Sequence, residues 1–221
     1  VAARLIIVSG TGTEIGKTHF AEALLLAWGR VGRVVGLKPV ESGVEENTRT
    51  DAVRLAAAST FHVKQDAYSF AAPISPHLAA RDAGVEIRCD VVARVAREAR
   101  QKADGVVLEL AGGLFSPLAR RLHNADLARA LSPDFLLLVA PDRLGVLHDV
   151  VATARAASAM AVRIAGVILV TPDQPDASTG RNAPEFPDIA GVPVLAVLPR
   201  ASSAELSELP AMTHLVEMLR K

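Results

Sequence analysis

The amino-acid sequence predicts an α/β fold, a doubly wound and mostly parallel sheet with helices on both faces. Three observations carry this expectation. Six short apolar runs, residues 5–9, 34–37, 106–110, 135–139, 167–170 and 192–198, punctuate the 221 residues. Each run is apolar almost without a break, the pattern of a strand covered on both faces. Helical stretches lie between them, long enough to make the crossovers that join parallel neighbours.

Taken in order, residues 5–9 form the first strand, and a Gly/Thr-rich turn leads into a helix over about residues 17–28. The second strand, 34–37, runs into Lys38-Pro39. Helical patterns cover residues 51–58, 89–102 and 144–159 between the later strands. Two stretches break the rhythm. Residues 59–88 hold Pro73 and Pro76 among mixed polarity and read as an excursion over one end of the sheet. Residues 171–188 contain Pro172, Pro175, Pro184 and Pro187 with Asp, Ser and Gly, and read as a long, mobile loop. With no repeat, low-complexity tract or linker, residues 1–221 read as a single domain.

Composition excludes several classes. Apolar residues make up 50% and charged residues 22% of the chain, which rules out general disorder. Lys and Arg number 24, as do Asp and Glu, so the formal charge is zero and neither nucleic acid nor an anionic membrane is expected as partner. The single cysteine, Cys89, excludes an internal disulfide and reads as a small buried hydrophobe. No apolar run approaches a membrane span, and the start of the sequence does not read as a signal peptide. A soluble, cytoplasmic protein is the expectation.

The most informative segment is Gly10-Thr11-Gly12-Thr13-Glu14-Ile15-Gly16-Lys17-Thr18, between the first strand and the first helix. That is the setting of a phosphate-binding loop, and it makes the fold P-loop NTPase-like. Glycines let successive N–H groups turn toward one anion, and the helix N-terminus adds partial positive charge. Lys17 is placed to reach the outer phosphates and the Thr18 hydroxyl to meet magnesium. Five residues separate Gly10 from Gly16, where the common pattern has four.

Ligands of open α/β sheets bind beyond the carboxyl ends of the strands. The second strand ends in Lys38-Pro39-Val40-Glu41-Ser42-Gly43, which brings a second cation and a hydroxyl. Glu109 stands at the end of the otherwise apolar third strand, where a carboxylate must be paired or face a metal. Asp51 lies at the start of a helix, so a capping role competes with a ligand role. Thr18, Asp51 and Glu109 together supply hard oxygen ligands suited to Mg2+. No zinc-type His spacing and no Gly-x-Ser-x-Gly elbow is present. Trp28 and Tyr68 read as packing residues.

The ordered set of segments resembles the dethiobiotin synthetase family. The matching pieces are the loop of residues 10–18, Lys38-Pro39-Val40-Glu41-Ser42-Gly43, Thr50-Asp51-Ala52, Pro73-Ile74-Ser75-Pro76-His77, Glu109-Leu110-Ala111-Gly112-Gly113 and Arg143-Leu144-Gly145, covering about residues 4–170. The resemblance implies an ATP-dependent ligase that cyclises 7,8-diaminononanoate with CO2 through a carbamate and a carbamic-phosphoric anhydride. It implies ATP, or another nucleoside triphosphate, held by Gly12, Thr13, Glu14, Ile15, Gly16, Lys17, Thr18 and Glu109. Lys17, Lys38 and Thr13 would then be catalytic, with magnesium on Thr18, Asp51 and Glu109. Ser42, Glu14, Gly145 and His148 would bind the substrate, its tail carboxylate at the start of the helix near Leu144, in a homodimer with the site at the subunit boundary. Five positions depart from the family. Gly12 stands where Asp is usual, Leu110 where Gly is usual, His148-Asp149 where Asn-His is usual, and Val170 where an adenine-reading Asn is usual. Asp149 is expected either to oppose an anion at that helix start or to pair with His148. Another P-loop amidoligase and a partitioning-type nucleotide switch are the competing classes.

Overall fold

A computed structural model describes residues 3–44, 50–63 and 68–221. The chain begins with β1 (Arg4–Gly10), α1 (Lys17–Gly29), β2 (Val34–Leu37), β3 (Val40–Ser42), α2 (Asp51–Ala58), β4 (Tyr68–Phe70), α3 (Pro76–Asp82) and α4 (Cys89–Arg100). It continues through β5 (Gly105–Glu109), β6 (Pro117–Ala119), β7 (Leu122–His123), α5 (Asn124–Leu131), β8 (Phe135–Pro141), α6 (Val146–Ala159) and β9 (Gly166–Val170). After a 3-10 turn at Ala183–Glu185 come α7 (Phe186–Ala190), β10 (Val194–Leu198), α8 (Ser203–Ser207) and α9 (Pro210–Arg220).

Six strands form one parallel sheet in the order β10-β9-β8-β1-β5-β2. The alternation of β1 explains its unbroken apolar character. Leu5 and Ile7 face a core with Val92, Val95 and Leu118, while Ile6 and Val8 face a core with Phe20, Leu24 and Leu215. Register aligns the strand ends: Val8 lies beside Glu109, and Leu37 beside Leu108. The loop after β1, Lys38 and Glu109 therefore emerge at one edge.

Helix α1 is apolar on nearly every side because it is covered on nearly every side. Phe20, Leu24 and Trp28 are fully buried, with α2, α8 and α9 packed around the helix. Burial of a side chain such as Phe20 contributes about 1.5–3 kcal/mol. Helix α2 starts at Thr50, whose side chain accepts from the Val53 N–H, and ends at Ser59. The Ser59 hydroxyl donates to the Leu55 carbonyl and accepts from the Gly36 N–H, which ties α2 to β2.

The six predicted strands and four predicted helices are present, with shifted ends. Leu110 falls just outside β5, β10 starts at Val194, and α6 starts at Val146 rather than Leu144 because Gly145 takes a left-handed conformation (φ 91°). The stretch 171–188 departs from the expected mobile loop. Buried Asp142 accepts from the Gly180 N–H and Asn182 Nδ2, and its carbonyl accepts from Thr179 Oγ1, so this stretch is tethered before it enters the 3-10 turn and α7. The excursion of residues 59–88 contains β4 and α3, and β4 pairs in parallel with β3; residues 64–67 of it lie outside the described residues. No helix among the described residues is long and apolar enough to cross a membrane.

Candidate active site

The phosphate loop joins β1 to α1. Gly16, the N-cap of α1, sits at φ +90°, a conformation that side chains with a Cβ disfavour. Glu14 adopts φ +57°, uncommon for a non-glycine residue and characteristic of turns at functional sites. Lys17 folds back over the loop and donates to the Gly12 carbonyl at 2.7 Å. A Cβ at Gly12 would meet only ordinary contacts, so the backbone there leaves room for the side chain usual in the resembled family.

The strand ends meet in a charged cluster. The Thr18 hydroxyl donates to Glu109 Oε1 at 2.9 Å, and Lys38 Nζ donates to the same oxygen at 2.8 Å. Lys38 Nζ also donates to Asp51 Oδ2, and the Asp51 N–H donates to Glu41 Oε1 at 2.7 Å. Asp51 is the first residue of α2, with Thr50 as the cap, so its side chain is free of the capping role and turns to the cluster. Burial lowers Lys17 to about 8, with Lys38 adding to the fall and Glu109 and Asp51 opposing it. Burial works against the charged form of Lys38 as well, but Glu109 and Asp51 outweigh it and hold its pKa above the ordinary lysine value. For Asp51 the pull of Lys38 overcomes burial and holds the carboxyl below its usual range. Glu109 is 1% exposed, and burial pushes its carboxyl up against the pull of Lys38.

Magnesium fits this donor set. Glu109 Oε2 is buried with no hydrogen-bond partner among the described residues. Thr18 and Asp51 add two hard oxygens beside it. No group of three or more His, Cys, Asp or Glu gathers as a metal cage among the described residues. One or two carboxylates completed by phosphate oxygens and water are the usual protein contribution to a magnesium–nucleotide site.

The pocket over this cluster is also lined by Thr13, Glu14, Ile15, Gly16, Ser42 and Gly112. A second cavity shares Glu14, Ile15 and Gly16 and extends along Val170, Pro172, Pro199, Ala201 and Leu206. Val170 packs against Gly16, within about 3.5 Å of where a Cβ would stand. Leu110 turns into the core, so its place in the sequence next to Glu109 does not bring it to the site. The structure thus brings together Gly12, Thr13, Glu14, Ile15, Gly16, Lys17, Thr18, Lys38, Ser42, Asp51 and Glu109. It does not bring Gly145 and His148 to them, since neither lines either cavity. The Leu144 N–H, beside Gly145, donates to Asp176 Oδ2 at 2.8 Å. Asp149 pairs with Arg143 at 3.1 Å, not with His148, because adjacent residues of a helix do not face each other. Sequence reasoning passed over His19, Glu41 and Arg54, which line the pocket, and the segment 199–201, which lines the cavity. Glu41 carried a signal, standing beside Ser42 in a segment already singled out. The others carried none.

A family profile described as an AAA domain matches residues 4–206. The fold is similar to that of a ParA family ATPase from Chlorobium tepidum TLS, with TM-score 0.61 and 14% identity over 99% of this chain and 98% of that one. It is also similar to the septum site-determining protein MinD of Pyrococcus horikoshii OT3, solved with Mg-ADP, with TM-score 0.56 and 17% identity over 99% and 94% of the two chains. Fold and site define a P-loop α/β protein built to hold a nucleotide. The chain is 34% identical over 215 residues to the ATP-dependent dethiobiotin synthetase of Nitrosospira multiformis, covering 96% of this chain and 95% of that protein. To the enzyme of the same name from Ralstonia nicotianae it is 39% identical over 201 residues, 87% of each. The chain belongs to the ATP-dependent dethiobiotin synthetase family, ligases of biotin biosynthesis.

Proposed function

We propose that the chain, acting as one P-loop domain, closes the cyclic urea of dethiobiotin from 7,8-diaminononanoate, CO2 and ATP. The observation that carries this reading is the convergence of Lys17, Thr18, Lys38, Asp51 and Glu109 on a pocket that Thr13 and Ser42 also line. CO2 adds to one amine of the substrate to form a carbamate, with loss of a proton. A carbamate oxygen attacks the terminal phosphorus of ATP, and ADP leaves. The second amine then attacks the carbamoyl carbon of the mixed anhydride, phosphate departs, and the ring closes.

Each residue has a task set by its place. The Lys17 ammonium exchanges the Gly12 carbonyl for phosphate oxygens, and Lys38 adds the second positive charge where negative charge builds. The backbone of residues 12–16 cradles the phosphates. The Ser42 and Thr13 hydroxyls hold the carbamate in line with the phosphorus, which supplies orientation rather than a covalent bond. Glu14 meets the substrate amine. Thr18, Asp51 and Glu109 would hold magnesium, which when bound neutralises charge on the phosphates. The Val170 side chain offers the base neither donor nor acceptor, so selectivity among ATP, GTP and CTP is expected to fall below the roughly hundredfold that a dedicated polar contact supplies. Turnover with the three at matched concentration checks it.

Gly145 and His148 enter through a homodimer. In this reading the α6 N-terminus of a second copy receives the tail carboxylate of the substrate. Leu144, 74% exposed beside Gly145, is an apolar surface that such a contact would cover. Release of ADP and phosphate that requires both diaminononanoate and bicarbonate is the test. Nucleotide hydrolysis indifferent to both would overturn the assignment and favour a switch-type ATPase.

A further inference from the structure

One turn beyond the phosphate loop, on α1, lies a buried acid that the chemistry above does not use. Glu22 is 8% exposed. Arg54 grips it with two bonds, Nε to Oε1 at 3.1 Å and Nη2 to Oε2 at 2.6 Å. The Ser203 hydroxyl donates to Oε2 at 2.9 Å. A carboxylate taken out of water persists only with such pairing, and the fork of an arginine fixes orientation as well as distance.

One partner, Arg54, lines the pocket over the charged cluster, and the other, Ser203, stands close behind the second cavity. Arg54 lies on α2 one turn after Asp51, with Nη1 3.5 Å from Asp51 Oδ1. Ser203 opens α8, two residues after the segment 199–201 that lines the second cavity. The same hydroxyl is 3.0 Å from His19 Nδ1, and His19 Nε2 is 2.6 Å from the Ala201 carbonyl. Three elements distant in sequence, α1, α2 and α8, therefore meet at one carboxylate.

We infer that Glu22 is a positioning residue for the nucleotide: through Arg54 it holds the helix that carries Asp51, and through Ser203 it holds the wall of the base cavity. The inference rests on the assignment of these two cavities to the nucleotide. Its two arms have separate readouts. The Ser203 arm acts on ATP affinity in the absence of magnesium. The Arg54 arm acts on the extra affinity that magnesium confers, because it orients Asp51.

Calorimetric titration of ATP, with and without magnesium, into the full chain and its variants is the experiment. Glu22→Gln, nearly the same size but uncharged, is expected to weaken ATP about tenfold without magnesium, on the scale of residues that orient ligand-binding side chains. It also reduces the gain from magnesium, while the KM for diaminononanoate stays within about twofold. Ser203→Ala reproduces the first loss alone and Arg54→Gln the second alone. Wild-type ATP affinity and magnesium gain in Glu22→Gln would overturn the inference. So would equal losses on both readouts in all three variants, with a matching rise in the KM for the diamine, since that is the mark of general loosening. Lys17→Ala serves as the control on the site itself. Undiminished ATP binding in that variant would remove the nucleotide from these cavities, and the inference with it.

Discussion

At the scale of single residues, Lys17 best shows how the site holds energy ready for its ligand. The residue is 5% exposed, and its ammonium donates to the Gly12 carbonyl. Burial, with Lys38 adding to it, brings its pKa down to about 8, whereas Glu109 and Asp51 pull the other way. A charge so placed costs stability in the nucleotide-free protein and is repaid when phosphate arrives. Lys17→Ala is therefore expected to lower kcat by at least about a hundredfold, the scale for losing one donor to developing charge. Its urea midpoint at pH 7 should be equal to or above wild type. Steady-state turnover and equilibrium unfolding check the two halves, and a variant that loses both activity and stability would show Lys17 to be a structural lysine.

At the scale of elements, packing and register set what the residues can do. The Trp28 ring of α1 lies on the start of β5, so a Cβ at Gly105 would fall 2.5 Å from its atoms. Indole and backbone are both held, and Gly105→Ala is expected to cost about 1–3 kcal/mol of stability as an overpacked contact. Urea unfolding measures it; a cost below half a kcal/mol on the scale of ordinary surface changes would mean that α1 shifts freely over the sheet. Asp134, at the entry to β8, ties that strand to β1. It accepts from the Leu5 N–H at 2.8 Å and from Arg4 at 2.9 Å, and Arg100 reaches it at 3.3 Å. Burial works to raise its carboxyl, but these bonds and charges prevail and its pKa is lowered. A carboxyl with a depressed folded pKa stabilises above its unfolded value of about 3.9 and loses that contribution as pH falls through the folded value. Asp134→Asn should cost about 1–2 kcal/mol near pH 7. The gap between variant and wild type should narrow only below about pH 4. A gap constant from pH 7 down to acid unfolding would assign it to shape rather than charge.

At the scale of the whole molecule, the charged cluster forms within one chain, whereas Gly145 and His148 stand apart from it. The homodimer reading predicts a solution mass twice that of the 23.2 kDa chain. It also predicts complementation. Hybrids of a Lys17→Ala chain with a chain carrying His148→Glu, whose added carboxylate repels the substrate tail, should recover activity, because one of the two sites in each hybrid draws an intact half from each copy. Light scattering and co-purified hybrids decide it. A monomer at working concentration, or hybrids as inactive as the parents, would take Gly145 and His148 out of the substrate site.

Much of the sheet and half of the site were legible in the sequence because their signals are local. A continuous apolar run marks a strand covered on both faces, and Gly10 to Thr18 carries its own turn chemistry. Even α9 has its signal in the spacing of Met212, Leu215, Val216 and Leu219. Ser42 and Glu109 could be singled out by standing at strand ends. The pairing of these pieces could not. Lys38 meets Glu109 across 71 residues, and Ser203 meets Glu22 across 181. Those contacts exist because β1 lies between β5 and β8 and because α2, α8 and α9 close around α1. Local periodicity states that a strand exists and which of its faces are dry, but carries no record of which strand becomes its neighbour. The phosphate loop was thus determined by the sequence alone; the tertiary structure decided which charges face it, because that depends on strand order and register.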